Sequence, residues 1–415
     1  MNRSRGHLVE AIWSRGGTHA RFSTPLQRLD PAVTTISWRP RELPTRGQTT
    51  LPREYFTSPA ILTEEVDRIF TRQWLCVDRE ERVAGRGDYF LLEAAGESII
   101  ILRDQQGTVR AFYNVCRHRG SRLCEEHRGS LSETIQCPYH AWTYGLDGRL
   151  IGAPATNDLE GFRKQDWPLR PVSVALWEGF IFINLAEDPI SFENAHAPLL
   201  TRFTRFGMSG LRLGRTHEYD IKANWKLIVQ NYSECYHCPL VHPTLTRRTP
   251  PTLGENDLVD GPFLGGYMVL SEDAKSMTMS GRACGLPVSD ALPAADHDRV
   301  YYYSIMPNML LSLHPDYVMF HVLWPLAVDR TRVFCSWLFN PATLADPSFS
   351  IDDGVQFWDM TNREDWHVCE LSQQGVSSRS YTPGPYSRRE SMSAAFDREY
   401  IQAMGRAEET IFPRR

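Results

Sequence analysis

The sequence predicts an α+β protein of two domains, an all-β domain followed by a larger domain in which helices cover an antiparallel sheet. A chain of 415 residues is longer than one hydrophobic core usually supports. Short apolar or alternating runs broken by turn residues fill residues 88–185, whereas helical stripes and β-rich runs occur together further on. We therefore predict a flexible N-terminal arm over 1–52, the first domain over 53–190 and the second over 191–415.

The composition is that of an ordinary globular protein and excludes several classes of partner. Hydrophobic residues make up 42% of the chain and charged residues 23%. A net charge of -5 provides no basic surface for nucleic acid or an anionic membrane. No run of eighteen apolar residues occurs, so we expect a soluble protein without a membrane span. Nine Cys without a secretory segment indicate reduced thiols or metal ligands, and hence a cytoplasmic location.

The first fifty residues leave two interpretations open. They contain eight Arg against three acidic residues, Glu10, Asp30 and Glu42, a bias shared by organelle transit peptides. The segment lacks a sustained amphipathic pattern, which favours a disordered arm over a targeting segment.

The elements of each domain follow from local patterns. A lead-in helix is predicted over 58–74, with a serine as its cap, and a second helix over 224–236, where apolar side chains share one stripe. Gly, Pro and Asp are frequent over 250–298, so we expect long loops there. Strong β-formers predict strands over 300–340, and a last helix is predicted over 352–374.

Four potential metal ligands stand in two short motifs of the first domain. Cys116 and His118 form C-x-H, and after eighteen further residues Cys137 and His140 form C-x-x-H. A mixed-ligand [2Fe–2S] cluster takes thiolates on one iron and imidazoles on the other, which two such loops can supply. Structural zinc is the alternative, but zinc fingers pair Cys with Cys and His with His. The spacing therefore favours the cluster.

A second candidate site follows the helix predicted in the larger domain. His237 and His242 are five residues apart, and Pro239 is expected to end the helix between them, so that a turn brings the two imidazoles together. Two His and one carboxylate form the facial triad of non-haem Fe(II) oxygenases, which leaves coordination positions open. We interpret the flanking Cys235 and Cys238 as packing thiols.

The third ligand is sought on the last predicted helix, which carries Asp359, Glu364 and Asp365. Helical spacing places Asp365 on the less polar stripe, where an unpaired anion would be costly and a metal would explain it. Asp359 can pair with Arg363 one turn later and face solvent. We predict Asp365 as the ligand and keep Asp359 in reserve.

These segments resemble the Rieske non-haem iron oxygenases. NVCRHRGSRLC and CPYHAWTYGLDGRL are similar to the two cluster-binding loops of that family, and NWKL with E-x-Y-H-x₄-H-P is similar to its iron-binding segment. Rieske proteins of cytochrome complexes usually carry one more Cys in each loop. Cys124 is present in the first loop but the second has no counterpart, which favours the oxygenase branch.

The resemblance implies a Rieske [2Fe–2S] domain and a helix-grip-like catalytic domain with one mononuclear Fe(II). It also implies a homotrimer, or a trimer with added β subunits, in which electrons pass from the cluster of one subunit to the iron of its neighbour. Glu234 is the expected bridge between a cluster His and an iron His. No nucleotide-binding G-x-G-x-x-G occurs, so a separate NAD(P)H-dependent flavin and iron–sulfur reductase is expected to deliver the electrons.

The C-terminal stretch FWDMTNREDWHVCELSQQG is similar to the quaternary-ammonium branch, which includes glycine betaine and stachydrine demethylases. This likeness implies O₂-dependent hydroxylation of an N-methyl group and loss of formaldehyde. Aromatic faces bind such cations, and the candidates, none assigned to the site, are Tyr301, Tyr302, Tyr303, Tyr317, Phe320 and Trp324. Aromatic ring hydroxylation is one alternative, and a non-catalytic electron-transfer or zinc-binding protein is another.

Overall fold

The structure is a computed structural model that describes residues 48–257 and 263–407. Its strands are β1 (Leu75–Arg79), β2 (Asp88–Ala94), β3 (Glu97–Arg103), β4 (Val109–Tyr113), β5 (Arg128–Ser130), β6 (Thr134–Gln136), β7 (Thr143–Gly145), β8 (Leu150–Gly152), β9 (Pro171–Trp177), β10 (Phe180–Asn184), β11 (Arg212–Ile221), β12 (Gly254–Asn256), β13 (Phe263–Val269), β14 (Arg299–Ile305), β15 (Met309–Leu313), β16 (Val318–Ala327) and β17 (Arg330–Phe339).

The α-helices are α1 (Glu54–Thr57), α2 (Pro59–Glu65), α3 (Phe192–Ala195), α4 (Ala197–Leu200), α5 (Trp225–Tyr232), α6 (Cys238–Val241), α7 (Pro243–Arg248), α8 (Pro341–Ala345), α9 (Ile351–Val376) and α10 (Ser391–Ala403). One π-turn, Val66–Phe70, continues α2. Within the described residues no helix is both long and apolar enough to cross a membrane.

The first 47 residues, which contain most of the predicted arm and the candidate targeting segment, lie outside the described residues. Residues 48–52, which we assigned to the end of the arm, instead pack against the C-terminal segment. Leu51 is fully buried, and the backbone N–H of Thr50 donates to the carbonyl of Gly384 at 2.9 Å. An apolar side chain in this position has a core to enter, so residues 48–52 are packed in the folded part of the chain.

The N-terminal part of the described chain is all-β, as predicted. Seven antiparallel strands form a sheet in the order β1-β10-β9-β4-β3-β2-β5, and β6, β7 and β8 form a small separate sheet. The predicted lead-in helix corresponds to α2 and the π-turn that continues it. Ser58 is at the cap position, but its side chain makes no capping hydrogen bond there, contrary to our expectation.

The larger part is a second antiparallel sheet with helices against it, which confirms the α+β class. Its strand order is β11-β17-β16-β15-β14-β13-β12. Strand β13 falls within the segment that we predicted as loops. Gly265 and Gly266 have low strand propensity, so the strand was not predicted. Glycine is nevertheless required at 265, because a Cβ there would collide with the carbonyl oxygen of Tyr302 on β14.

Helix α5 is shorter than predicted. Its Asn224 cap accepts a hydrogen bond from the N–H of Lys226, but the helix ends at Tyr232, well before His237. The interpretation of Pro239 as a stop is wrong. Pro239 stands in the first turn of α6, where its missing N–H is not needed by the helix.

Candidate metal centres

The two C-x-H and C-x-x-H loops have the same backbone geometry. In each, the Cys N–H donates to the carbonyl five residues later, which is that of Ser121 for Cys116 and of Trp142 for Cys137. The Cys carbonyl accepts from the N–H four residues later, which is that of Gly120 for Cys116 and of Ala141 for Cys137. Gly120 and Ala141 both have positive φ, 75° and 56°. The loops follow β4 and β6, and the rings of His118 and His140 lie 4.7 Å apart, so two equal turns present their donors to one another.

The two thiols are more deeply buried than the two imidazoles, of which His140 is half-buried. Cys116 and Cys137 are buried, whereas His118 is exposed and lies with its ring 4.7 Å from that of His140. Stacking on Trp142 at 4.8 Å fixes the His118 ring. This is the distribution that a cluster needs when one iron is held by thiolates and the other by imidazoles near the surface.

Two further observations test whether these residues fit such a cluster. The Nδ1 atom of His140 is buried without a hydrogen-bond partner among the described residues, which a metal would explain. Burial acts to raise the pKa of the Cys137 thiol, but hydrogen bonds from the backbone N–H groups of Tyr139 and His140, together with the side chains of Cys116 and Ser121, outweigh it, and the pKa lies below its ordinary value. Stabilisation of the thiolate suits a metal ligand. The donor set therefore fits.

The second site is formed by His237, His242 and Asp365, which the structure brings together. Each offers a ligand atom within 4.8 Å of the other two. One oxygen of Asp365 lies 2.8 Å from Nε2 of His242 and 3.3 Å from Nε2 of His237. The short helices α6 and α7 begin immediately after the two histidines, so these turns aim both rings at α9. The two Nε2 atoms and one carboxylate are the donors of a facial triad.

Each of the two histidines donates a hydrogen bond from Nδ1, the ring nitrogen that faces away from Asp365, to a second carboxylate. The Nδ1–H of His237 donates to Glu234 at 2.7 Å, and the Nδ1–H of His242 donates to Glu364, also at 2.7 Å. These bonds fix the tautomer that leaves Nε2 free for a metal. The sequence named Glu364 only as one of three candidate ligands, so its role as hydrogen-bond partner of His242 was not predicted.

The charges of the site favour a cation. Burial acts to lower the pKa of His237, but Asp365 and Glu234 raise it to about 10. The same opposition raises the pKa of His242, with Asp365 and Glu364 as the neighbouring acids. Carboxylates that stabilise positive charge this strongly would equally stabilise a divalent metal ion.

The reserve ligand and the two flanking thiols have other partners. Asp359 accepts from the Tyr219 hydroxyl at 2.7 Å and from Arg363 at 2.9 Å, away from the histidines. The pairing with Arg363 is the one that the sequence predicted. Cys235 and Cys238 form a disulfide, so their interpretation as packing thiols is wrong; residues three apart at a helix start have Cα atoms close enough, here 4.9 Å.

A cavity of about 470 Å³ opens onto the three predicted iron ligands. Its wall includes five aromatic residues, Tyr232, Tyr236, Tyr267, Tyr302 and Trp358. The hydroxyl of Tyr302 is buried without a hydrogen-bond partner among the described residues. Of the aromatic residues named from the sequence, Tyr302 lines this cavity, Tyr301 and Tyr303 line a neighbouring one, and Tyr317, Phe320 and Trp324 are buried in the core.

Comparison with known proteins agrees with both sites. Residues 73–163 match the Rieske [2Fe-2S] domain, and residues 208–406 match the catalytic domain of the ring hydroxylating alpha subunit. The glycine betaine monooxygenase oxygenase subunit of Chromohalobacter salexigens is 32% identical over 381 residues, which cover 83% of each chain. The carnitine monooxygenase oxygenase subunit of Escherichia coli K12 is 29% identical and covers 80% of this chain and 85% of its own.

Solved structures agree as well. The quaternary ammonium Rieske monooxygenase CntA in complex with gamma-butyrobetaine is 26% identical, with a TM-score of 0.70 over 86% of this chain and 95% of that chain. Naphthalene 1,2-dioxygenase from Rhodococcus, at 23% identity and a TM-score of 0.66, shares the fold.

Fold and donor sets together define an iron-dependent terminal oxygenase. The chain belongs to the Rieske non-haem iron oxygenase family, as an oxygenase α subunit. It therefore carries a Rieske [2Fe–2S] domain and a catalytic domain for non-haem iron, and it uses O₂ together with a separate reductase. These findings confirm the predicted family and cofactors and disagree with the alternative of a zinc-binding or purely electron-transferring protein.

Proposed function

We propose that this subunit oxidatively N-demethylates a betaine-type quaternary ammonium compound. The observation that carries the proposal is the cavity, which joins the His237, His242 and Asp365 triad to the aromatic faces of Tyr232, Tyr302 and Trp358. An aromatic face attracts a desolvated cation by about 0.5–2 kcal/mol. Relatives at 32% and 29% identity are named for glycine betaine and carnitine, both of which are quaternary ammonium compounds.

In this proposal Cys116, His118, Cys137 and His140 hold the cluster, and His237, His242 and Asp365 hold Fe(II). Bound iron supplies O₂ activation. The residues of the chain bind and orient: the carboxylates of Glu234 and Glu364 hold the Nδ1 protons of the two histidines, and the aromatic faces hold the ammonium group beside the triad. Hydroxylation of an N-methyl group consumes O₂, two electrons and two protons and yields water and a carbinolamine, which releases formaldehyde and a tertiary amine.

The direct test is product analysis. With a matched reductase and NADH, the purified subunit is expected to release one formaldehyde for each O₂ consumed from glycine betaine, carnitine or γ-butyrobetaine. Aromatic acids serve as the comparison substrates. Diol or phenol products from those acids, with no formaldehyde from any betaine, would replace the proposal by ring hydroxylation.

We also propose that the chain works as a homotrimer fed by an NAD(P)H-dependent flavin and iron–sulfur reductase, with Glu234 as the bridge for electrons. The Glu234 side chain is 14% exposed and bonds to His237, and Tyr236 beside it is an exposed aromatic residue. A neighbouring subunit can therefore approach the carboxylate. Analytical ultracentrifugation is expected to give three times the chain mass of 47.6 kDa.

The bridge predicts an electron-transfer defect in Glu234→Gln. We expect substrate-dependent reoxidation of the reduced cluster to slow by about 10–100-fold, with cluster and iron contents unchanged, because the amide keeps a hydrogen bond but loses the charge. Stopped-flow absorption at saturating iron measures this rate. Glu364→Gln is the matched control, since Glu364 bonds to the other histidine; equal slowing in both variants would argue against a special role for Glu234.

A further inference from the structure

The aim of the Asp365 carboxylate depends on the rotation of helix α9 about its axis. Asn362 lies one turn before Asp365 on this helix and is only 3% exposed. Its Oδ1 accepts a hydrogen bond from Nε2 of His321 at 3.2 Å, and its Nδ2 donates to the Tyr219 hydroxyl at 3.5 Å. A buried amide that is bonded at both ends has one orientation, so this turn of the helix is tied to the sheet.

These hydrogen bonds form a continuous series with one direction. Burial lowers the pKa of His321 to about 4, so the ring is neutral and its Nε2–H is the donor to Asn362. The Tyr219 hydroxyl accepts a hydrogen bond from Asn362 and donates its own to Asp359 at 2.7 Å. Arg363 then pairs with Asp359 at 2.9 Å. Each donor of the series has its acceptor, so the series links β16 and β11 to α9; the other ring nitrogen of His321, Nδ1, is buried without a hydrogen-bond partner among the described residues.

The same two sheet residues also hold the helix on the other side of Asp365. The Trp366 ring meets Tyr219 edge-on at 5.8 Å and His321 at 6.0 Å. Tyr219 and His321 thus contact α9 three residues before Asp365 and one residue after it. Two such contacts resist rotation of the helix about its axis, which one contact alone would allow.

The size of the effect follows from helix geometry. A side-chain atom about 5–6 Å from the helix axis moves by about 2 Å when the helix turns by ~20°. A ligand bond from a carboxylate to a metal is itself about 2.0–2.2 Å long. A small rotation of α9 would therefore take the Asp365 oxygen out of reach of a metal held by His237 and His242.

We propose that Asn362 is a positioning residue of the iron centre: by tying α9 to β11 and β16, it holds the Asp365 oxygen opposite the Nε2 atoms of His237 and His242. The inference rests on the proposed role of Asp365 as an iron ligand. The inference assigns a function to a buried polar residue whose hydrogen-bond partners are neither predicted iron ligands nor predicted cluster ligands.

The test compares two buried amides of the same helix in the full chain. Asn362→Leu removes the tie beside Asp365. Gln373→Leu is the matched control, because Gln373 accepts from the N–H of Asn224 at 2.9 Å and donates to the carbonyl of Phe56 at 3.2 Å, more than two turns away. Anaerobic Fe(II) titration and the electron paramagnetic resonance spectrum of the nitric oxide adduct measure the iron site. Thermal unfolding measures the stability of each variant.

We expect Asn362→Leu to weaken Fe(II) binding by about tenfold or more and to change the rhombicity of the adduct spectrum, while Gln373→Leu keeps both at wild-type values. Wild-type affinity and spectrum in Asn362→Leu would overturn the proposal, and so would equal losses in the two variants. If Asn362→Leu does not fold, Tyr219→Phe removes two hydrogen bonds of the series, those of the hydroxyl with Asn362 and Asp359, and unchanged iron binding there overturns the proposal as well.

Asp365→Ala separates this inference from the function on which it rests. Loss of iron in Asp365→Ala together with normal iron in Asn362→Leu would reject the positioning role alone. Normal iron binding in Asp365→Ala would instead reject the ligand assignment itself.

Discussion

Asp365→Ala is expected to empty the mononuclear iron site and to lower turnover by at least about a thousandfold, since a bound metal contributes several kcal/mol to transition-state stabilisation. Asp365 supplies the only anionic donor among the three groups that face one another here. Two neutral imidazoles remain in the variant, and they hold Fe(II) far more weakly than the complete triad. Metal analysis should then find about two irons per chain, those of the cluster, in place of about three.

Asp359→Ala is the matched control for this prediction. Asp359 lies on the same helix, six residues earlier, and its carboxylate bonds to Tyr219 and Arg363. Removing it breaks those bonds without taking a ligand atom from the site of His237 and His242, so the variant should still bind iron at saturating Fe(II), with an affinity lowered no further than in Asn362→Leu. Visible absorption of the cluster in both variants checks that the rest of the chain has folded. Full iron in Asp365→Ala, or its loss in Asp359→Ala, would exchange the roles of the two residues.

The sequence predicted the donors that depend on local geometry. Cys and His within a few residues of each other occupy one turn, so the two cluster loops can be identified without a fold. The choice of Asp365 over Asp359 also rested on local periodicity. Asp365 shares a stripe of α9 with the buried Asn362 and Cys369. Asp359, which we expected to face solvent, is instead half-buried and bonds to Tyr219. The roles of these Cys, His and Asp residues as ligands remain predictions, but their local spacing could be interpreted without knowledge of distant residues.

What the sequence could not supply depends on packing between distant segments. The bond from His242 to Glu364 joins residues 122 positions apart, and Tyr302 meets Tyr232 and Trp358 only because β14 passes beneath α5 and α9. Strand β13 was missed because its two glycines are typical of a loop until the close approach of β14 to Gly265 and of β12 to Gly266 is known. Local patterns gave the donors, whereas tertiary contacts determine how they are oriented and what lines the cavity.

Cys137→Ser is expected to abolish the Rieske cluster and, with it, all turnover that depends on the reductase. Cys137 is buried, and backbone N–H groups of Tyr139 and His140 stabilise its thiolate. A serine hydroxyl at this position is not ionised at neutral pH and cannot replace a thiolate on the buried iron. We expect loss of the visible absorption and of about two irons per chain, with the mononuclear iron retained.

Cys124→Ser shows whether this effect is specific. Cys124 is also a buried thiol of the first loop, but burial raises its pKa to about 11, and the loop there is held by the Asn114 side chain, which bonds to the N–H and carbonyl of Cys124 at 2.9 and 2.8 Å. The thiol itself takes no part in these bonds, so the variant should keep the cluster. Loss of the cluster in Cys124→Ser with retention in Cys137→Ser would mean that a different pair of thiolates holds the iron. The parallel turns at Cys116 and Cys137 would then need another explanation, because their identical hydrogen bonding is the reason to place the cluster between them.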